Sequence, residues 1–430
     1  MSDYNTKYSL TLAGGENIDL IYTSTWAFYQ SEANKGAFAE VTDDVINNYM
    51  PLHKENQAEA SWGQAKIGGK VYFVPGNMAN VSMNAVLIRG DLREKYGIES
   101  IDSMEDLEAY YDAVLADPDS GVQFPYAASQ NNNEGRYAMF FAGNDFVRIE
   151  GAIADYITYK FSEDFTPDDL VWIYGTEEYL AYAKEMKEWA DKGFWSKSAI
   201  ANATDTKDAF LNGTSASYVW NLGTVGATAS QVEAEHPEWK PEIYDITPDA
   251  HRFFAAYTGD GVAVAANSKH QDRAFMALDL LKFDEELYDL QRFGIEGVHY
   301  EKTSDTTWLP AADAQKYPFG NGFSWGLKNS SFDMVREDQN KDQTEIGAKW
   351  TENAVESPTA AFSFDDTNVK NELANLKSIY TQYVPLLDLG LVEDVEATLA
   401  EFQKQAEAAG LDKVLEEAKT QLTAYMESIK

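Results

Sequence analysis

The feature that most limits what this chain can become is a Gly14-Gly15 turn feeding a short, mostly apolar run, Ile18-Asp19-Leu20-Ile21-Tyr22. Such a run is long enough for one buried strand and too short for a helix. Thr23-Ser24-Thr25 end it, and three aromatics crowd the exit: Trp26, Phe28 and Tyr29. In open α/β sheets, ligands bind beyond the C-terminal ends of strands. Rings at that place serve either as a platform for a flat apolar ligand face or as core. We read Trp26 as platform and Phe28 as core. At 430 residues the chain exceeds what one simple core organises, so two lobes are expected.

Aromatics make up 13% of the chain, including 10 Trp and 25 Tyr, which fills a core and leaves rings for stacking surfaces. Lys and Arg number 34 against 71 Asp and Glu, a net charge of −37. So acidic a surface repels phosphate backbones and anionic membranes. It sets nucleic acid aside as a partner and suits a neutral or cationic ligand. There is no cysteine, which excludes disulfides, thiol catalysis and Cys metal sites. No stretch approaches the ~20 apolar residues of a membrane span. No signal peptide precedes Asp3, so the chain reads as cytoplasmic or as a trimmed piece of an exported protein.

Along the chain, residues 41–60 read as one helix capped by Thr42, with Val45, Ile46, Tyr49 and Met50 at helical spacing. Gly68-Gly69 marks a hairpin turn before a strand at 70–74 that Pro75 closes. Residues 81–88 read as a strand crossing between lobes. Asn84 interrupts its apolar run, as either a satisfied structural amide or a ligand contact. Ser103 caps a helix carrying Leu107, Tyr110, Tyr111 and Val114. Residues 176–195 form an amphipathic helix with Tyr179, Ala183, Met186 and Trp189 on one face. A further helix, a turn at Gly213 and a strand lead to Trp220-Asn221. Tyr257 precedes Gly259-Asp260-Gly261, whose backbone freedom suits a hinge. Residues 319–325 set Gly320, Asn321 and Gly322 between aromatics, a loop able to face a ligand with Asn321 and Trp325. Glu296 and His299 share the Glu-x-x-His spacing of two metal ligands on one helical face. Gly294 and Gly297 oppose a helix there, so both side chains are expected to tie a tight loop near the hinge by hydrogen bonds.

Several stretches in order resemble the extracellular solute-binding proteins of ABC importers, the maltose-binding-protein-like group. They are Gly36-Ala37-Phe38-Ala39-Glu40-Val41-Thr42, Gly69-Lys70-Val71-Tyr72-Phe73-Val74-Pro75, Lys95-Tyr96-Gly97-Ile98-Glu99-Ser100 and Ala274-Phe275-Met276-Ala277. Phe293-Gly294-Ile295-Glu296-Gly297-Val298-His299-Tyr300 and Ala409-Gly410-Leu411-Asp412-Lys413-Val414 are similar to the LplA-like lipoprotein subgroup with its DUF3502-type C-terminal domain. The likeness covers nearly the whole chain after Asp3. It implies a periplasmic-binding-protein-like fold: two α/β lobes joined by a hinge, with a helical C-terminal extension. The first lobe is expected at 1–85 plus 258–310, and the second at 86–257 plus 311–430. In that group a strand, most of a helix, an export signal and a lipid-bearing Cys precede the Gly14-Gly15 turn. The resemblance therefore implies a first lobe shortened at its N-terminus and a full-length form that is extracellular and tethered to the membrane as a lipoprotein.

The same resemblance places the group's sugar-stacking Trp on Trp220, with Asn221 beside it as a polar reader. Trp and Tyr planes cover the apolar faces of sugars, and Asp and Asn take their hydroxyls. The expected ligand set is Trp26, Trp62, Asn84, Trp220, Asn221, Tyr257, Asp260, Asn321 and Trp325, with no cofactor and no metal. The expected function is capture of an oligosaccharide in the inter-lobe cleft for an ABC importer. The chain is expected to be a monomer that meets the importer's membrane subunits and is not an enzyme. The alternative is a glycan-acting hydrolase using two cleft carboxylates. With 71 acidic residues such a pair can always be found, and no Gly-x-Ser-x-Gly elbow offers a nucleophile. An adhesion module fits the crossing pattern poorly.

Overall fold

The computed structural model describes the chain except residues 1, 15–17, 26–27, 79–80, 82, 130–134, 150–151, 155, 203–204, 318–321, 361, 363 and 429–430. Two large buried cores hold it together. In the smaller unit the strand Leu20–Thr23 pairs antiparallel with Gly261–Val264, which pairs in turn with Val74–Pro75. Around this sheet lie the helices Asp43–Tyr49, Pro51–Asn56 and Gln271–Phe283 and the helical turn Gly322–Gly326. The single helix expected over 41–60 is two, Asp43–Tyr49 and Pro51–Asn56, and a third begins at Glu59. Thr42 Oγ1 accepts from the Val45 N–H to cap the first, and Pro51 opens the second, where its missing N–H leaves no bond unmade. The Gly68-Gly69 hairpin forms with both glycines at positive φ, 57° and 82°. Gly261 and Gly326 are dictated by contact. A Cβ on Gly261 would stand 2.3 Å from the Phe73 ring, and one on Gly326 would stand 2.5 Å from the Gly261 carbonyl oxygen.

The larger unit is built on a four-stranded sheet ordered Pro241–Tyr244, Asn84–Arg89, Ser215–Asn221 and Phe124–Tyr126. Asn84–Arg89 is antiparallel to both its neighbours, and the last strand runs parallel to Ser215–Asn221. Alternation divides the two central strands. Val86, Ile88 and Val219 enter the main core, while Ala85, Leu87, Tyr218 and Trp220 face a second cluster under the helix Leu222–Glu235. The main core also takes in the helices Met104–Ala116 and Glu177–Lys192, a three-stranded sheet at 146–172, and the C-terminal helices Lys370–Asp388, Val395–Ala408 and Leu411–Ser428. Fully buried Phe402 lies edge-on to Trp172 and Tyr380 and stacks on Tyr383 at 5.0 Å. Those helices are therefore part of this unit's core, not an appendage.

The chain passes between the units three times, near 76–83, 254–260 and 337–340. A small satellite core of Tyr288, Phe293, Tyr300, Trp308 and Met334 precedes the last crossing. The boundary expected at 310/311 does not follow the packing. Leu327 is buried in the smaller unit's core, and Asn329 bridges to Asn77, so the chain stays with the first unit until about 336. No helix among the described residues is long and apolar enough to cross a membrane.

Candidate ligand cleft

A cavity of about 490 Å³ opens where the first two crossings meet, a size typical of small-molecule sites. The crossings are stitched together at its edge. The Gly76 N–H donates to the carbonyls of Tyr257 (3.0 Å) and Asp260 (2.9 Å). A Cβ on Gly76 would press on the Tyr257 oxygen at 3.1 Å, so glycine permits this approach.

The wall from the smaller unit presents Thr25, Tyr257, Asp260, Trp325 and Lys328. Tyr257 begins a short turn, and its N–H donates to Gln64 Oε1 at 2.7 Å. The Asp260 carboxylate accepts from the Tyr22 hydroxyl (2.6 Å) and from Lys328 Nζ (3.3 Å). Half-buried Trp325 meets the Tyr22 ring edge-on at 6.3 Å. The satellite holds this segment in place. Arg292, ion-paired to Asp333 at 2.9 Å, donates to Ser324 Oγ, and the Asn329 N–H donates to the Tyr288 hydroxyl.

The wall from the larger unit presents Phe141, Asp145, Phe146, Arg148, His251 and Phe253. Asp145 sits in the left-handed region at φ 54°, which Asp tolerates better than most residues. Its carboxylate accepts from the His251 backbone N–H at 2.8 Å and meets His251 Nδ1 at 3.1 Å. Behind this wall Arg252 is buried against Asp245 (2.8 Å), which also accepts from Trp350 Nε1 at 2.7 Å. This network sets the strand Arg252–Phe253 beside Ala354–Val355 and so fixes the aromatic pair Phe253-Phe254 at the cavity.

Asn84 and Asn221 stand opposite each other at the ends of paired strands, and both line the cavity. Asn221 Oδ1 accepts from the Thr224 N–H at 3.0 Å and caps the helix Leu222–Glu235. That leaves its Nδ2 hydrogens as the group it can offer a ligand.

The structure thus gathers five of the expected ligand residues around one cavity: Asn84, Asn221, Tyr257, Asp260 and Trp325. Trp26 and Asn321 lie outside the described residues. Trp220 and Trp62 do not line the cavity. Trp220 points from the opposite face of the strand that carries Asn221, toward Ala85, Leu87 and Tyr218. Trp62 packs on the smaller unit's core, 6.3 Å from the His53 ring. The helix carrying it reaches the cleft through Gln64 instead. His299 does tie its loop, since its Nδ1 accepts from the Ile295 N–H at 2.9 Å and its ring stacks on Tyr317. No group of metal-ligating side chains occurs among the described residues. Asp145, His251, Phe141 and Lys328 carried no motif in the sequence. The Gly143-Asn144-Asp145 turn was the one local signal that could have drawn attention to Asp145.

Below the first wall lies a buried charged cluster. Lys282, fully buried, donates through Nζ to the Pro75 carbonyl beside Gly76, and burial holds its amine well below the usual lysine range. His53 donates from Nδ1 to Asp279 at 2.8 Å. Burial nonetheless pushes its pKa down to about 4, with the Lys282 charge adding to the effect, and its Nε2 has no partner among the described residues.

Comparison with known proteins gives this architecture a place. The family described as "Bacterial extracellular solute-binding protein" matches residues 1–283, and a domain of unknown function, DUF3502, matches residues 358–427. A carbohydrate ABC transporter substrate-binding protein of Streptococcus pneumoniae serotype 4 is 23% identical over 437 residues, covering 100% of this chain and 83% of the relative. The polygalacturonan/rhamnogalacturonan-binding protein YtcQ of Bacillus subtilis strain 168 is 26% identical over 282 residues, 64% of this chain and 53% of that protein. The crystal structure of the N-glycan transport solute binding protein NgtS from Streptococcus pneumoniae superposes with a TM-score of 0.75 at 21% identity, covering 100% of this chain and 90% of that one. The fold is accordingly periplasmic-binding-protein-like, and with two thirds of its length matched the chain belongs to the bacterial extracellular solute-binding proteins.

Proposed function

We propose that this chain captures an oligosaccharide in the cavity between its two units and delivers it to the membrane subunits of an ABC importer. One observation carries this reading: a cavity bounded by the first two chain crossings and lined by Tyr257, Trp325 and Phe254 together with the amides of Asn84 and Asn221. Rings for sugar faces and amides for hydroxyls are the pairing a glycan needs. A cavity between two units also lets ligand favour the closed arrangement by binding it better. Relatives described as carbohydrate and polygalacturonan/rhamnogalacturonan binders support the same chemistry. The chain acts outside the cell, held there as a lipoprotein, and works as a monomer without catalysis. Both cavity carboxylates, Asp145 and Asp260, are engaged by protein donors, which suits fixed acceptors better than the acid and base of a hydrolase. A thermal-shift screen against oligosaccharides tests the proposal. A ligand at ~100 times its Kd adds about 2.7 kcal/mol of stability and is recovered unchanged by mass spectrometry. A ligand that raises Tm and is consumed would establish a hydrolase instead.

A further inference from the structure

We propose that the cavity takes an uncharged glycan and excludes oligouronides, an inference that rests on the oligosaccharide reading and narrows it. Among the described residues the charged side chains at the cavity are two carboxylates, Asp145 and Asp260, and two cations, Arg148 and Lys328, with His251 set against Asp145. The balance holds on each wall as well as in sum. On the first wall Lys328 sits 3.3 Å from Asp260, and on the second Asp145 is matched by Arg148, its carboxylate already taking the backbone N–H and facing Nδ1 of His251. A polymer with a carboxylate on every sugar requires cations in excess of the acids beside them, commonly arginine forks that grip each carboxylate bidentately. Here every added carboxylate would meet Asp145 or Asp260 as a like charge in a partly desolvated space. It would also approach against the field of a chain whose net charge is −37.

The remaining polar groups fit a neutral ligand. Asn221 has its acceptor committed to the Thr224 N–H, so it offers N–H donors to hydroxyl, ether or acetamido oxygens. Asn84 lies directly across the strand pair from it. Tyr257, Phe254 and Trp325 supply faces for uncharged rings. On this ground the chain departs from its relative described as a polygalacturonan/rhamnogalacturonan-binding protein, whose uronic-acid ligands bear one carboxylate per galacturonate.

Titration calorimetry of the full chain with neutral trisaccharides (chitotriose, mannotriose, cellotriose) and with trigalacturonate, at 20 and 300 mM NaCl, decides it. A neutral sugar should bind with a Kd that moves less than about twofold between the two salts, since it carries no charge to screen. Trigalacturonate should give no binding at a hundredfold higher concentration. Trigalacturonate binding more tightly than every neutral sugar, and weakening severalfold with salt, overturns the inference while leaving the oligosaccharide reading intact. Failure of both classes overturns the oligosaccharide reading and this inference together.

Discussion

The two units bury different things. The larger one packs rings on rings: Trp172, Tyr174, Tyr380, Tyr383 and Phe402 form one continuous aromatic cluster joining the C-terminal helices to the central domain. The smaller one closes over His53, Asp279 and Lys282, which are 0%, 3% and 0% exposed. Asp279 there accepts the backbone N–H groups of Leu52 and His53 at the start of a helix, and Lys282 holds the carbonyl next to the first crossing. Apolar burial stabilises with little dependence on pH. A buried titratable cluster ties stability to protonation. The contrast makes the smaller unit the part whose stability answers most to pH.

Phe402→Ala should break the comparison most visibly, costing about 3–5 kcal/mol by opening a cavity in the aromatic cluster. Urea unfolding measures it, and a loss below about 1 kcal/mol would mean the C-terminal helices are not shared core. Acid should separate the units next. The folded pKa of His53 is about 4 against an ordinary 6.5, so between those values the unfolded chain binds the extra proton. Stability of the smaller unit should fall as pH drops from 6.5 toward 4, by about 3 kcal/mol at the bottom of that window. Hydrogen exchange, corrected for intrinsic rate, should show Pro51–Asn56 and Gln271–Phe283 losing protection before Glu177–Lys192. Equal loss in both units, or the same loss in His53→Leu, would acquit His53.

Smaller effects sharpen the contrast at the cleft. Trp325→Ala should raise the ligand Kd about 5- to 10-fold, the worth of one aromatic contact. Trp220→Ala should leave Kd within about twofold and lower Tm instead. Calorimetry giving equal losses would return Trp220 to the site. Asn221→Asp keeps a capping acceptor, so stability should stay within about 0.5 kcal/mol, while the lost Nδ2 donors weaken binding severalfold. Unchanged affinity would remove that amide from ligand contact.

Features set by local chemistry were legible in the sequence. The Ser103 and Thr42 caps and the Gly68-Gly69 hairpin all follow from neighbours a few residues away. The order of motifs carried the fold. The lining of the cavity was legible beside a crossing, as with Asn84, Tyr257 and Asp260. Trp220 was expected there too and lies one step of strand alternation away: Asn221 faces the cavity, so its neighbour does not. Pro51 split a helix whose apolar spacing ran on past it. The second wall was hidden for another reason. Asp145 and His251 meet across 106 positions of chain, and nothing short in range encodes that meeting.

The three crossings also bear on when the molecule becomes itself during synthesis. Leu20–Thr23 leaves the ribosome early, yet its partner is Gly261–Val264, made only after the whole four-stranded sheet. That sheet's own core in turn waits for Phe402 and Leu422 near the end of the chain. No stretch ending before Leu327 therefore contains a finished core. Each growing intermediate exposes an apolar face and has long loops still to close, so the smaller unit can complete only after Leu327 and the larger one only after Leu422.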